Sequence, residues 1–229
     1  MTSLLLALAF IVGTVALFFL MLKLYSRCPY PIFLPILTCT FIISCLLLAF
    51  NISYDTYMVG GEWIQKFLGP AVVALAVPLY NQRYLILKYK ISILTSVIVA
   101  MIAGLVSVIV LLNLFKASEL FILSAIPKSM TTPVAMEVSN VIDGVPPLTA
   151  VLVMIAGFAG AIFGPMLYKW FKIDTAISRG VAMGSASHGV GISKLKEFDE
   201  ETLSIGSLAM GLSAVVGSFL CPIVVALFL

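Results

Sequence analysis

The chain holds one histidine, His188, and it falls in a run of small residues, RGVAMGSASHGVGISK, at Arg179 to Lys194. An imidazole both donates and accepts hydrogen bonds, and with a reference pKa of about 6.5 it can carry a proton near neutral pH. Ser185 and Ser187 add hydroxyl donors beside it, while Gly184, Gly189 and Gly191 let a ligand approach the backbone closely. A second cluster, SAIPKSMTTPVAMEVSN at Ser124 to Asn140, offers the Lys128 ammonium and the hydroxyls of Ser129, Thr131 and Thr132. Pro127 and Pro133 stop a helix from running through it. Hydroxyls and free N–H groups at the N-terminus of a half-helix suit a small carboxylate, because the helix dipole favours negative charge there.

This is chemistry for binding rather than for making bonds. Ser187 and His188 are neighbours in sequence with no third group to orient them, so they do not form a nucleophile and base. The H-E-x-x-H and G-x-S-x-G patterns are absent. Cys28, Cys39, Cys45 and Cys221 lie in or beside apolar stretches without metal-type spacing, and act as small packing residues. No enzyme, cofactor or metal is expected.

Each candidate has a plainer explanation that stands beside the functional one. Gly180, Gly184 and Ser187 could form a packing seam, since small residues are what close helix packing in membranes uses. His188 could be a hydrogen-bonded structural residue, although ionisable groups at membrane depth are rare and usually face a pathway. Glu137 and Asn140, which follow the first cluster, fit a solvated face or the wall of a polar cavity. Arg179 fits an orientation-setting charge better than an anion-attracting one.

The elements that must position these residues are membrane helices. The 229 residues are 62% hydrophobic and 10% charged, against about 25% charged in soluble domains. Uncharged stretches at Thr2 to Leu22, Ile32 to Tyr54, Ile91 to Phe115, Val145 to Tyr168 and Thr202 to Leu229 each reach the roughly 20 residues that cross a bilayer as helix. Phe67 to Gln82, completed by Trp63 and Ile64 and interrupted by Gly69-Pro70 and Pro78, makes a sixth crossing. The first charge, Lys23, comes after the first apolar run, so that run reads as an anchor and not as a cleaved signal. No basic patch interleaved with aromatics is present, which argues against nucleic acid as a partner.

The two chemical clusters fit none of the six crossings. Each is a pair of short apolar pieces of about eight to ten residues around a polar break, too short to span. They are either broken crossing helices or hairpins that enter and leave on one side. Positive charge decides between these, since lysine and arginine gather on the cytoplasmic side. With an extracytoplasmic N-terminus and two hairpins, Lys23, Arg27, Arg83, Lys88, Lys90, Lys169, Lys172, Arg179, Lys194 and Lys196 all fall inside. Two crossings would strand Lys169 and Lys172 outside. Both termini are then extracytoplasmic. One helix separates the hairpins, so they have opposite orientation, as in the inverted repeats of many secondary transporters, and their tips should meet near the midplane. The expected fold is therefore all-α and polytopic: about six transmembrane helices plus two oppositely oriented re-entrant or broken hairpins, with elevator-like motion as one option.

Three motifs in this order carry a resemblance: LGPAVVALAVPLYNQ at Leu68 to Gln82, IPKSMTTPVAMEVS at Ile126 to Ser139, and SRGVAMGSASHGVG at Ser178 to Gly191. The chain resembles the LrgB/CidB family of bacterial membrane proteins, which also forms part of the plastid glycolate/glycerate transporter. The resemblance implies one transmembrane domain over residues 1–229, with 1–62 as scaffold helices and 63–229 as a hairpin-bearing transport part. It implies two classes of function. One is movement of small monocarboxylates such as pyruvate, glycolate or lactate, with proton coupling as an option. The other is antiholin- or holin-like control of murein hydrolases and lysis with a small LrgA/CidA-type partner. The family pattern carries over to Pro127, Ser129, Thr131 and Thr132, and to Arg179, Gly180, Gly184, Ser187, His188 and Gly191. Where members often carry threonine and alanine, this chain has Ser185 and Gly189. The expected substrate contacts are thus Ser129, Thr131, Thr132, Ser185, Ser187, His188 and Gly189, supported by Lys128, Pro133, Glu137, Asn140 and Arg179. The expected partners are a small carboxylate anion, the LrgA/CidA-type protein, the lipid bilayer of the bacterial cell membrane, and further copies of the chain, as in a dimer.

Overall fold

The computed structural model describes residues 2–28, 30, 33, 35–67, 70, 73–74, 76–81 and 83–228. All its regular elements are helical. In chain order they are α1 (Thr2–Arg27), α2 (Pro35–Ala49), α3 (Tyr54–Gln65), α4 (Ala76–Asn81), α5 (Arg83–Leu114), α6 (Glu119–Ala125), a 3-10 turn (Ile126–Ser129), α7 (Thr132–Val141), α8 (Pro146–Trp170), α9 (Ala176–Leu195) and α10 (Glu200–Phe228). The chain divides into two compact units at Ala71/Val72.

In the first unit α1 packs against α2 and α3. Gly60 makes the α1–α3 approach possible, because a methyl group there would meet the Ala7 carbonyl and Phe10 Cβ. Tyr57 fixes the register, its ring edge-on to Phe10 at 5.5 Å and its hydroxyl 3.1 Å from that of Thr14.

Four described helices have the length and apolarity to cross a membrane: Leu4–Arg27, Leu87–Leu114, Pro146–Trp170 and Glu200–Phe228. The other two expected crossings are described in part. Within Ile32 to Tyr54 the described helix is the shorter apolar Pro35–Ala49. Asn51 ends it in the left-handed region, φ 51°, and the Ile52 N–H bonds the Leu47 carbonyl at 2.8 Å, the pattern in which a C′ residue closes a helix and satisfies its orphan carbonyls. Trp63 and Ile64 belong to α3, which the Ser53 side chain caps, and so do not complete a third crossing. Of that crossing α4 is seen, while Gly69 lies outside the described residues.

The second unit carries both chemical clusters. Ser124, before the first break, and Ser139, after it, are fifteen positions apart, which in one helix means about 22 Å. They instead meet at the start of α8. The Thr149 hydroxyl donates to the Ser124 carbonyl at 2.8 Å and sits 2.7 Å from the Ser139 hydroxyl, while the Val145 N–H donates to Ser124 Oγ at 2.9 Å. The segment α6–turn–α7 is a re-entrant hairpin.

The same test applies to α9, where Gly180 and Leu195 are again fifteen positions apart. Both lie against Gly206 of α10. Arg179 and Phe198, further toward the two ends, also meet, guanidinium over ring at 5.1 Å. So α9 is a second hairpin, turning at His188 (φ 48°, ψ −142°). The base of the first hairpin is bonded to the N-terminal turn of α8, and the base of the second to its C-terminal turn, where the Tyr168 hydroxyl donates to the Arg179 carbonyl at 2.8 Å. The two hairpins enter from opposite ends of α8.

Candidate functional site

The tips meet in the middle of the second unit. The 3-10 turn of the first hairpin contacts α5, α7, α8, α9 and α10. At its end Met130 (φ −134°, ψ 170°) is extended and Thr131 caps α7 with a backbone φ of −60° and ψ of 140°. Pro133 sits in the first turn of α7, where its missing N–H is no loss. The second tip lies against the middle of α8: a methyl group on Gly160 would occupy the place of the Ser187 side chain, and one on Gly157 would meet the Ser187 carbonyl. The His188 ring lies beside the Ser129 main chain and near the Lys128 ammonium, so the two tips face one another across this point.

The backbone at His188 is unusual. Five non-glycine residues among those described have positive φ: Asn51, Lys116, Asp143, Lys172 and His188. The first four each close a helix, with the following N–H bonding a carbonyl five residues back, as in Ala117 to Leu112, Gly144 to Ser139 and Ile173 to Tyr168. His188 closes no helix in that way. Its angles lie near the first central position of a type II′ turn, which glycine dominates. The glycines beside it suggest that one of them makes the break, yet no described glycine has positive φ. The histidine takes the strained position itself, and such strain clusters at sites of function.

Burial separates the expected contacts. Thr131, Ser185 and His188 are 7%, 3% and 3% exposed; among the described residues Thr131 Oγ1 and Ser185 Oγ have no hydrogen-bond partner, and the His188 ring nitrogens, beside the Ser129 main chain, complete no well-formed bond. Buried polar groups are normally paired, and each exception calls for a cause. Ser129 is buried too, with its hydroxyl accepting from Lys128 Nζ at 3.4 Å and lying beside Gly104 of α5. Thr132, Pro133 and Lys128 are half-buried around the tip.

The other candidates play different parts. Ser187, Gly180 and Gly184 belong to packing seams: Ser187 against Gly160 of α8, and the two glycines against Ile205, Gly206 and Ala209 of α10. Gly189 is exposed, with open space where a side chain would stand. Glu137 and Asn140 are exposed along α7, away from the tip. Arg179 is held at the base of the second hairpin. It donates from Nε to the Ile173 carbonyl at 2.8 Å, pairs with Asp174 at 3.4 Å and stacks on Phe198. Nine positions from His188 along a helix, it stands about 13 Å from the tip.

Sequence inspection missed one residue. Ser213, in the apolar helix α10, is fully buried and its hydroxyl also lacks a partner. A serine at close-packing spacing in such a helix reads as a seam, and only its burial in the folded chain sets it apart. A groove of about 670 Å³ lies between α5 and the first arm of α9, with Ser92, Thr95 and Ser96 on one wall and Thr175 and Ser178 on the other. It ends at Ala103 and Ala182, the first next to Gly104 and the second one helical turn short of Ser185.

Two hairpins entering from opposite ends of one crossing helix, with unpaired polar groups where their tips meet, define a polytopic membrane protein built as an inverted repeat. The chain belongs to the LrgB-like family, whose model matches residues 14–227. It is 46% identical to the uncharacterized protein YxaC of Bacillus subtilis (strain 168), covering 97% of this chain and 96% of that one. It is 36% identical to YwbG of the same organism over 90% and 94% of the two chains. Holin-like protein CidB of Staphylococcus aureus (strain N315) is 35% identical over 97% of each chain. No solved structure matches.

Proposed function

We propose that the protein is a secondary transporter or facilitator of small monocarboxylates of the pyruvate, glycolate and lactate type, binding them between the two hairpin tips. The observation that carries this is the set of buried polar groups at the tips: Thr131 Oγ1 and Ser185 Oγ, unpartnered among the described residues, and the His188 ring. Hydroxyl and imidazole donors with the Lys128 ammonium alongside suit one small anion. The imidazole also offers a carrier for a coupled proton. The groove between α5 and α9 is the approach route. On this reading residues 1–62 serve as scaffold helices, and elevator-like displacement of the hairpin-bearing part, residues 63–229, gives alternating access. The test is uptake of labelled lactate, pyruvate and glycolate into proteoliposomes. Saturable, mutually competitive uptake that falls at least tenfold in Thr131→Ala and His188→Ala supports the proposal. Uptake unchanged by both substitutions would sink the site.

A second reading rests on the relative named holin-like protein CidB: action in lysis together with an LrgA/CidA-type membrane partner. A pore would release solutes of mixed size and charge without saturation. Copurification from co-expressing cells, then transport with and without the partner, separates an obligate subunit from a self-sufficient carrier or a homodimer. For orientation we place the protein in the bacterial cell membrane with Lys169, Lys172, Arg179, Lys194 and Lys196 cytoplasmic. Sided labelling of a cysteine introduced at Lys172 checks this, and labelling from outside intact cells would reverse it.

A further inference from the structure

We infer that Ser213 of α10 is a third-element donor to the anion held between the tips, an inference that rests on the transport reading above. Contacts along α10 locate it. Gly180 lies against Ile205 and Gly206, Gly184 against Gly206 and Ala209, and Gly217 against Met130 and Met101. Ala209, Ser213 and Gly217 follow one another at i, i+4 spacing and share one face of the helix. Ser213 therefore stands about 6 Å along the axis from the contact to the second hairpin and about 6 Å from the contact to the first. The first arm of α9 runs alongside α10 in the same direction, Gly180 to Gly184 matching Gly206 to Ala209. Continuing to the turn at His188 brings that residue to the level of Ser213.

The conformation of the side chain is the second observation. Serines in apolar helices ordinarily return their hydroxyl to a carbonyl one turn back. In this protein Ser107 bonds the Gly104 carbonyl at 2.8 Å, Ser193 the Val190 carbonyl at 2.6 Å, Ser207 the Leu203 carbonyl at 2.9 Å and Ser218 the Val215 carbonyl at 2.8 Å. Ser213, fully buried, forgoes this bond and finds no other. A hydroxyl with a bond available on its own helix, in a medium that penalises unpaired polar groups, has its use in a ligand. The site then draws on three elements. Thr131 comes from the first hairpin, Ser185 and His188 from the second, and Ser213 from a crossing helix that belongs to neither tip. Two carboxylate oxygens accept about four hydrogen bonds, a number that these groups can supply.

The test uses the full-length protein, purified and reconstituted, as parent, Thr131→Ala, Ser213→Ala and Ser213→Cys. Sodium lactate and sodium pyruvate are the probes. The expected result for Ser213→Ala has two parts of opposite sign. Without probe it melts at or above the parent temperature, because an unpaired buried hydroxyl has been removed. With probe its melting temperature rises less than that of the parent, and KM for uptake increases about tenfold with kcat within twofold. Ser213→Cys, similar in size with a weaker donor, falls between. A serine that only holds the helices together would behave differently: Ser213→Ala would melt lower and keep its KM, and that result overturns the inference. If the parent transports lactate, Thr131→Ala impairs it and Ser213→Ala does not, Ser213 is excluded while the transport reading stands. If the parent shows neither uptake nor a probe-induced shift, the transport reading fails and takes this inference with it.

Discussion

Replacing His188 by glycine and, separately, by alanine divides the two things this residue does. Its backbone stands at φ 48° and ψ −142°, a conformation that costs a side-chain-bearing residue of order 1–3 kcal/mol. Its ring is 3% exposed and completes no well-formed hydrogen bond among the described residues. Both variants lose the ring, so in their comparison the ring's packing and desolvation cancel. Alanine keeps the backbone strain. Glycine removes it and gives back about 0.5–1 kcal/mol through the greater freedom of the unfolded chain. His188→Gly should therefore be more stable than His188→Ala by about 0.5–2 kcal/mol, or roughly 2–6 °C in melting temperature for a chain of this length. Thermal unfolding of the two detergent-solubilised variants, followed by intrinsic fluorescence, provides the comparison, and proteoliposome uptake should be at least tenfold down in both. Equal stability, or alanine the more stable, refutes the strain argument. Full uptake by the glycine variant refutes a role for the imidazole.

Three further outcomes follow from the packing. Thr149→Val keeps the shape but leaves the Ser124 carbonyl without its donor and the Ser139 hydroxyl without the partner oxygen beside it, so thermal stability should fall by about 1–3 kcal/mol, visible as earlier loss of the monodisperse peak on heating. Gly160→Ala drives a methyl group into the Ser187 side chain, at a cost of about 1–3 kcal/mol. Adding Ser187→Gly should recover most of that, and a double variant no better than the sum of the singles would show that the two residues do not touch. Asp199 accepts from the N–H and hydroxyl of Thr202 at 2.6 and 2.8 Å, bonds that hold its carboxyl below the usual aspartate value. A depressed folded-state pKa gives stability that is present above the unfolded value and lost as pH falls through the folded one. Acid titration of Asp199→Asn should therefore lack part of the stability loss that the parent shows below about pH 4, and superimposable profiles would remove Asp199 from that account.

The hairpins were legible in the sequence because two independent constraints agreed: pieces too short to cross, and basic residues that only a same-side return could gather. Long apolar helices were legible from composition, and α5, α8 and α10 fall where the uncharged stretches lie. The end of α2 was not, because it depends on Asn51 taking a left-handed conformation that a hydrophobicity profile does not register. Among the polar candidates, residue type did not separate Thr131, Ser185 and His188, which the fold buries, from Glu137 and Asn140, which it leaves exposed, since a polar group beside a break looks the same whether it points inward or outward. Gly180, Gly184 and Ser187 needed the neighbouring helix before they could be read as seams. Ser213 was invisible for the converse reason. Nothing near it in sequence is polar enough to draw notice, and its significance comes from helices more than twenty residues away.

The two hairpins share a shape but are held by different forces. The first is locked at its base by directional bonds, with the Thr149 hydroxyl, the Val145 N–H, Ser124 and Ser139 tied together out of contact with water. Shifting its arms along α8 would strand these groups, and Ser124, Ser139 and Thr149 are fully buried, so the lost partners are costly to leave unreplaced. Among the described residues the second has its side-chain hydrogen bonds at its outer end, through Tyr168, Arg179 and Ile173. Above that point it rests on bare backbone at Gly180, Gly184 and Gly206 and on the Met183 thioether against Gly164 and Gly191. Glycine seams and a flexible thioether hold by close contact and not by direction, so they tolerate displacement that a hydrogen-bond lock does not. The difference lies in how each hairpin is held: the first by directional bonds, the second, which carries the imidazole, by close packing.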